Sequence, residues 1–297
     1  YEGEKKLDHT AEYMRLTGPT MKDDYSEVLD FTRLTSIRGL STINYEEKVY
    51  PEDKNVYWGE SSIFELFDIP FVEGDPKTAL DPPNNVVISR SAAEKYFGNV
   101  NALGKVVRII TPAFPETEYV VGGVFEDLPE NSHLQFDVLL SNTNFLQEQR
   151  FSTGWTYWIF YTYLKLAPNT DPAKLEAKFP EFVDRYIAEV MKREEGPNAG
   201  AGLHLQAVTD IHLYSNLAYE LLQHNGGNGK IVYGLLLLAA AILVIAWINY
   251  INLATAKALD RSLEVGIRKV YGAQKSQLIF QFLMESFIVN FLMLVRH

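Results

Sequence analysis

Gly226-Gly227-Asn228-Gly229-Lys230 is the first stretch to test for chemistry, because a glycine-rich turn ahead of a lysine can cradle phosphate with backbone N–H groups. A phosphate loop needs four residues between its glycines and a hydroxyl after the lysine; here the glycines stand too close and Ile231 takes the hydroxyl position. His204, Asp210 and His212 are conceivable metal ligands. The two histidines stand eight residues apart on an expected strand and turn, with no third His or Cys beside them, so they read as structural. No Ser/His/Asp or Cys/His set and no paired carboxylates at a recognisable spacing support an enzyme, and no cofactor or metal is assigned to this chain. The clearest spacing belongs to charges. Glu264 precedes Arg268 by four residues, an orientation worth about 0.2–0.5 kcal/mol on a helix.

The element that must position those charges begins at Ile231. IVYGLLLLAAAILVIAWINYINL runs 23 residues without a charged side chain. At 1.5 Å per residue such a helix reaches about 34 Å, enough for a bilayer core of roughly 30 Å. A transmembrane helix is therefore expected over 230–256. From Lys257 onward six Lys or Arg stand against three acids; removing these from the totals of 27 and 38 leaves 21 bases and 35 acids before them. Basic residues are retained on the cytosolic side of a span, so the C-terminal flank is expected inside and the acidic N-terminal portion outside. Tyr233, Trp247 and Tyr250 suit interfacial positions, and Asn249 and Asn252 share a helix face suited to interhelical hydrogen bonding. After the rod comes an amphipathic foot, Lys257 to Gly272. Leu259, Leu263, Ile267 and Val270 fall in one stripe of about 80°, with Asp260, Arg261, Glu264 and Arg268 opposite. Gly266 leaves room for another backbone, and Gly272 ends the helix. Charge alone leaves two readings open: a helix that couples to a cytosolic partner, or a basic juxtamembrane helix that fixes topology and binds anionic lipid.

The net charge of −11 argues against nucleic acid as a partner, since phosphate binding needs clustered Lys and Arg. The absence of cysteine fits an extracytoplasmic location without identifying one. The chain lacks a starting Met and stops within a second apolar run, so a piece of a longer protein is expected.

Before the rod, helices and strands intersperse, which predicts an α+β domain. A helix is expected over Met21–Leu29 after Pro19, strands between Phe31 and Tyr57, and a helix over Ser61–Phe67. Val86-Val87-Ile88 reads as a strand, Ser89 as the N-cap of the helix that follows, and Gly98 as its end. Lys105–Ile110 alternates, placing Val106, Arg108 and Ile110 on one face, and Gly122-Gly123 within Tyr119–Phe125 predicts a bulge or close backbone approach. Trp155–Leu166 reads as an aromatic strand, with Trp155 to Tyr163 expected in the core between lobes and a substrate surface as the alternative. Asp171-Pro172 should start a helix running toward Met191, with Pro180 as a kink, and Leu203–Val208 reads as a strand.

On Asp210-Ile-His-Leu213, Asn249-Tyr-Ile-Asn-Leu-Ala-Thr-Ala256 and Arg261-Ser-Leu-Glu-Val-Gly-Ile-Arg-Lys-Val-Tyr-Gly-Ala273, the chain resembles FtsX-like permeases of ABC transporters. On Asn85–Gly98, Leu103-Gly-Lys105 and Val120–Phe125, its outer part is similar to the MacB-type periplasmic core domain. The resemblance implies a periplasmic core domain over 1–229, a porter-like lobe with a second lobe inserted at about 56–150. It also implies a coupling helix over 257–276, and the start of a further membrane helix over 277–297. It further implies an inner-membrane permease that passes ATP-driven motion outward to export or extract an antimicrobial compound, peptide or lipoprotein. Arg261, Glu264, Gly266, Ile267, Arg268, Lys269 and Gly272 would seat against a cytosolic ABC ATPase that holds the ATP and magnesium. A second permease copy or homologous half, a periplasmic adaptor and an outer-membrane channel are further implied partners, with the lipid bilayer. The alternative role is a transmembrane regulator that uses the same motion to activate a cell-wall hydrolase or a sensor kinase.

Overall fold

The computed structural model describes residues 10–37, 39–52, 55–98, 101–112, 114–147, 155, 158–215, 217, 227–260, 262–272, 274, 276–281, 283–284 and 287–288. The chain divides into two compact units, Tyr1–Asn228 and Gly229–His297. In the first, eleven strands among the described residues form one mixed sheet: β1 (Tyr13–Met14), β2 (Val28–Ser36), β3 (Ser41–Tyr45), β4 (Lys48–Glu52), β5 (Val56–Gly59), β6 (Phe71–Gly74), β7 (Asn85–Ser89), β8 (Val106–Ile110), β9 (Thr117–Phe125), β10 (Val138–Ser141) and β11 (Trp158–Leu166). Their order is β1-β11-β2-β5-β10-β7-β9-β8-β3-β4, with β6 also paired to β9. The pairs β5–β10 and β7–β9 are parallel and the rest antiparallel.

The central strands are apolar without alternation because both sheet faces are covered. Val86, Ile88, Val138 and Leu140 join one buried cluster with Trp58 and Tyr96. Their neighbours Val87 and Leu139 join another with Phe64, Phe125 and Phe136. At the outer strand β8 one face opens: Val107 and Ile109 are buried, whereas Val106, Arg108 and Ile110 are exposed, as the alternation predicts. A third cluster gathers Met14, Met21 and Val28 against Phe179 and Phe182. Hydrogen bonding passes unbroken from β1 to β4, and β3 and β4, which precede residue 56, join the far end through β8.

Local signals set most boundaries. Ser89 caps α3 (Arg90–Phe97) by accepting from the Ala92 N–H at 3.1 Å, and Gly98 leaves it at φ +68°. Asp171 caps α5 (Pro172–Glu176) through the Ala173 N–H at 3.1 Å. At Gly122 the β7–β9 register slips, and an added Cβ would lie 2.4 Å from the Ala79 carbonyl oxygen, so bulge and close approach coincide. The helix expected over Met21–Leu29 instead occupies Thr17–Asp24 (α1), because Val28 and Leu29 are drawn into β2, where a nine-residue strand pairs with β11. α2 is Ser62–Leu66 and α4 is Asn142–Gln147. The helix expected from Pro172 to Met191 is three: α5, α6 (Phe179–Tyr186) and α7 (Ala188–Glu195), with Pro180 in the first turn of α6, where its missing N–H has no helical partner to lose. Leu203–Val208 is not a strand. Leu203 and Leu205 pack on the third cluster, the Leu205 N–H is taken by the Glu176 carboxylate rather than a sheet, and α8 (Val208–Tyr214) begins at Val208.

In the second unit, α9 (Gly229–Asp260) continues through Lys257, so the expected foot is divided between α9 and α10 (Ser262–Val270).

Candidate functional site

α9 is one helix because no residue in its apolar run breaks it, and Thr255 satisfies its own hydroxyl within the helix by donating to the Ile251 carbonyl at 2.8 Å. Residues Gly229–Lys257 are long and apolar enough to cross a membrane, and an 18-residue stretch within them has a mean hydropathy of 2.8 with none of it buried within the protein. A soluble core helix would hide this surface; here apolar side chains face outward on all sides.

α10 presents the predicted contact residues. Tyr271 donates its N–H to the Ile267 carbonyl at 3.2 Å, Gly272 donates to the Lys269 carbonyl at 3.0 Å, and Gly272 then turns away at φ +87°. Arg268 and Lys269 lie in the last turn, where cations favour the helix dipole. Ile267 is 52% exposed, and Val270 and Tyr271 are each 87% exposed. A methyl group added at Gly266 or Gly272 would meet nothing within 4 Å. This surface is open apolar skin beside cations. Arg268 Nη1 donates to Gln281 Oε1 at 2.8 Å, tying α10 to the segment after it. Arg261 and the side chains of Leu259, Leu263 and Glu264 lie outside the described residues, and with them the expected Glu264–Arg268 pair.

In the outer unit, His204 Nδ1 stands 3.9 Å from Glu176 Oε1, while His212 lies on α8 with its Nδ1 buried. Among the described residues no three His, Cys, Asp or Glu gather as metal ligands.

A cleft of about 570 Å³, absent from the sequence reading, is walled by Lys22, Asp30, Glu60, Ser61, Asp81 and Asn142 among others. Its residues come from five separated segments, so no spacing could reveal it. Its floor is braced. Arg33, with its side chain only 7% exposed, gives Nε and Nη2 to the Glu60 carboxylate and Nη1 to the Arg15 carbonyl at 2.8 Å. Ser61 Oγ donates to Asp81 Oδ1 at 2.8 Å and accepts from the Leu80 N–H at 3.1 Å. The wall cations are matched locally, Lys22 with Asp30 at 2.8 Å and Lys77 with Glu65 at 3.4 Å.

A mixed α/β domain ahead of a helix able to span a bilayer defines a membrane protein with an extracytoplasmic segment, of the transporter permease type. The chain belongs to the MacB-like periplasmic core domain family, whose model matches residues 9–182, more than half its length. Among solved structures, it is similar to a domain of a protein described as a permease from Porphyromonas gingivalis. The two are 27% identical, with 59% of this chain and 78% of the other covered and a TM-score of 0.51. It also aligns with the periplasmic region of MacB from Actinobacillus actinomycetemcomitans at 17% identity, 61% and 74% coverage and a TM-score of 0.41. A third alignment is with the extracellular domain of the noncanonic ABC-type transporter YknZ from Gram-positive bacteria, at 14% identity, 66% and 90% coverage and a TM-score of 0.39. A search of curated proteins gives no match. The family match ends at residue 182, inside α6, so α9 and α10 lie beyond it.

Proposed function

We propose that the chain is the permease subunit of an ABC transporter of the MacB and FtsX type, seated in the inner membrane, and that it transmits motion rather than making or breaking bonds. The observation that carries this reading is the run of one outward-facing apolar helix, Gly229–Lys257, directly into an exposed helix bearing Ile267, Arg268, Lys269 and Val270. A rod in lipid with an apolar and cationic foot is what a cytosolic ATPase needs in order to move a membrane helix. In this scheme Arg261, Glu264, Gly266, Ile267, Arg268, Lys269 and Gly272 face the ATPase, which supplies ATP and magnesium. Closure of paired ATPases shifts two permease copies or homologous halves and reshapes the outer domains. A substrate outside the membrane, an antimicrobial compound, peptide or lipoprotein, is moved toward an adaptor and an outer-membrane channel. The outer sheet then works as a porter-like lobe carrying an inserted one, and a further membrane helix starts near Leu278.

Co-purification of the chain with a P-loop ATPase tests the assembly. Replacing Glu264 and Arg268 together should abolish stimulation of that ATPase by substrate while membrane insertion stays normal; preserved stimulation overturns the assignment of α10.

A further inference from the structure

The cleft of about 570 Å³ in the outer unit offers far more hydrogen-bond acceptors than donors. Its lining holds four carboxylates, Asp30, Glu60, Glu65 and Asp81, against two ammonium groups, Lys22 and Lys77. Both cations are already matched, Lys22 by Asp30 at 2.8 Å and Lys77 by Glu65 at 3.4 Å. The Glu60 carboxylate is neutralised by the buried Arg33 guanidinium. Asp81 keeps its charge, because among the described residues no Lys or Arg pairs with it.

The hydroxyls of Ser61 and Thr143 supply no donor to the cleft. Ser61 Oγ gives its proton to Asp81 Oδ1 at 2.8 Å, and Thr143 Oγ1 gives its own to the Asp81 carbonyl at 3.2 Å. Asn142 adds an acceptor instead. It is 1% exposed, its Nδ2 donates to the Arg33 carbonyl at 3.4 Å, and its Oδ1 has no hydrogen-bond partner. The amide is fixed in that sense, since turning it over would set two acceptors against each other. A buried oxygen without a donor is costly, and this one belongs to a residue in the wall of a cavity rather than in the sealed core.

Charge and size narrow the ligand. Unspent acceptors beside an uncompensated carboxylate call for a cation rich in N–H groups. Among the described residues no three His, Cys, Asp or Glu gather as metal ligands, so these carboxylates are too dispersed to dehydrate and hold a metal ion. The cleft has the volume of a small-molecule site, and Phe31 and Leu146 line it with half-buried apolar surface. The Phe31 ring also lies within reach of cations, with Lys22 Nζ 5.9 Å from its centroid.

We propose that this cleft binds one small organic ammonium, whose N–H groups are donated to the Asp81 carboxylate and to Asn142 Oδ1 while its apolar body rests against Phe31 and Leu146. The site belongs to the outer unit alone and stands whether or not α10 couples to an ATPase.

Isothermal titration calorimetry of the full chain in lipid nanodiscs, with the heats of empty nanodiscs subtracted, tests the site with phenethylamine as the probe. Saturable binding of one amine per chain is expected, with a Kd on the order of 0.1 mM. Phenylacetate and 2-phenylethanol keep the apolar body and replace the cation by an anion or a neutral hydroxyl; both should bind at least about tenfold more weakly. Asp81→Asn removes the charge but keeps an acceptor for Ser61, and Asn142→Leu removes the unmet oxygen; each should weaken the amine about tenfold. Asp81 is exposed, so its variant carries the comparison should Asn142→Leu fail to fold. Absence of saturable binding up to about 10 mM, equal affinity for phenylacetate, or unchanged affinity in Asp81→Asn overturns the proposal.

Discussion

Glu60→Ala strikes a concentrated polar contact between β2 and the residue after β5. In the native chain the Glu60 carboxylate accepts from Arg33 Nε at 3.2 Å, from Arg33 Nη2, and from the Arg33 backbone N–H at 3.0 Å. The guanidinium is confined further by the rings of Phe31 at 5.3 Å and Phe160 at 5.9 Å. Removing the carboxylate leaves a buried cation with two of its donor arms unmet and an amide of β2 without its acceptor. Breaking a buried pair costs about 3–5 kcal/mol. Glu60 keeps 21% of its side chain exposed, so water recovers part of the loss, and about 2–4 kcal/mol is the expected penalty. In a unit of this size, each kcal/mol moves the melting temperature by about 2–4 °C, so a fall of about 6–12 °C is expected for the mid-range penalty. Arg33→Met combined with Glu60→Leu removes both charges and fills the space, and should lie within about 1–2 kcal/mol of the parent, since the Arg15 carbonyl also loses its donor. Thermal unfolding of the purified full chain, followed by near-ultraviolet dichroism, compares the three proteins. A Glu60→Ala shift below about 3 °C, or a double variant less stable than Glu60→Ala, would refute the view that the charges are held chiefly by each other.

Gly122→Ala should destabilise by about 1–3 kcal/mol, because its Cβ would meet the Ala79 carbonyl oxygen at 2.4 Å and Asn85 Nδ2 at 2.7 Å. By contrast Gly98→Ala, with nothing within 4 Å but φ +68°, should cost about 1 kcal/mol; denaturant midpoints separate the two. Ser89→Ala should cost more than Asp171→Ala, about 2 against about 1 kcal/mol in the same assay. Ser89 Oγ both caps α3 and donates to Asp137 Oδ1 at 3.1 Å, whereas Asp171 serves its helix alone.

These contacts mark where the sequence was legible and where it was not. Ser89, Gly98, Asp171 and Gly122 act on backbone within a few residues or through their own φ and ψ, so residue type and spacing expose them. The rod is legible for the same reason, since its requirement is satisfied inside one helix. The misplaced elements fail where a distant partner outweighs local preference. Val28 and Leu29 follow three acids and a tyrosine in a stretch that reads as helix, yet β11, more than a hundred residues later, takes them as strand. Leu203–Val208 alternates as a strand should, but its Leu205 amide is claimed by Glu176 and no sheet edge receives it.

The polar sites follow the same logic to its limit. Arg33 and Glu60 are 27 residues apart, and Ser61 and Asp81 are 20 apart. Each pair has meaning only after the sheet order β11-β2-β5-β10 brings its segments together, and no motif encodes that order.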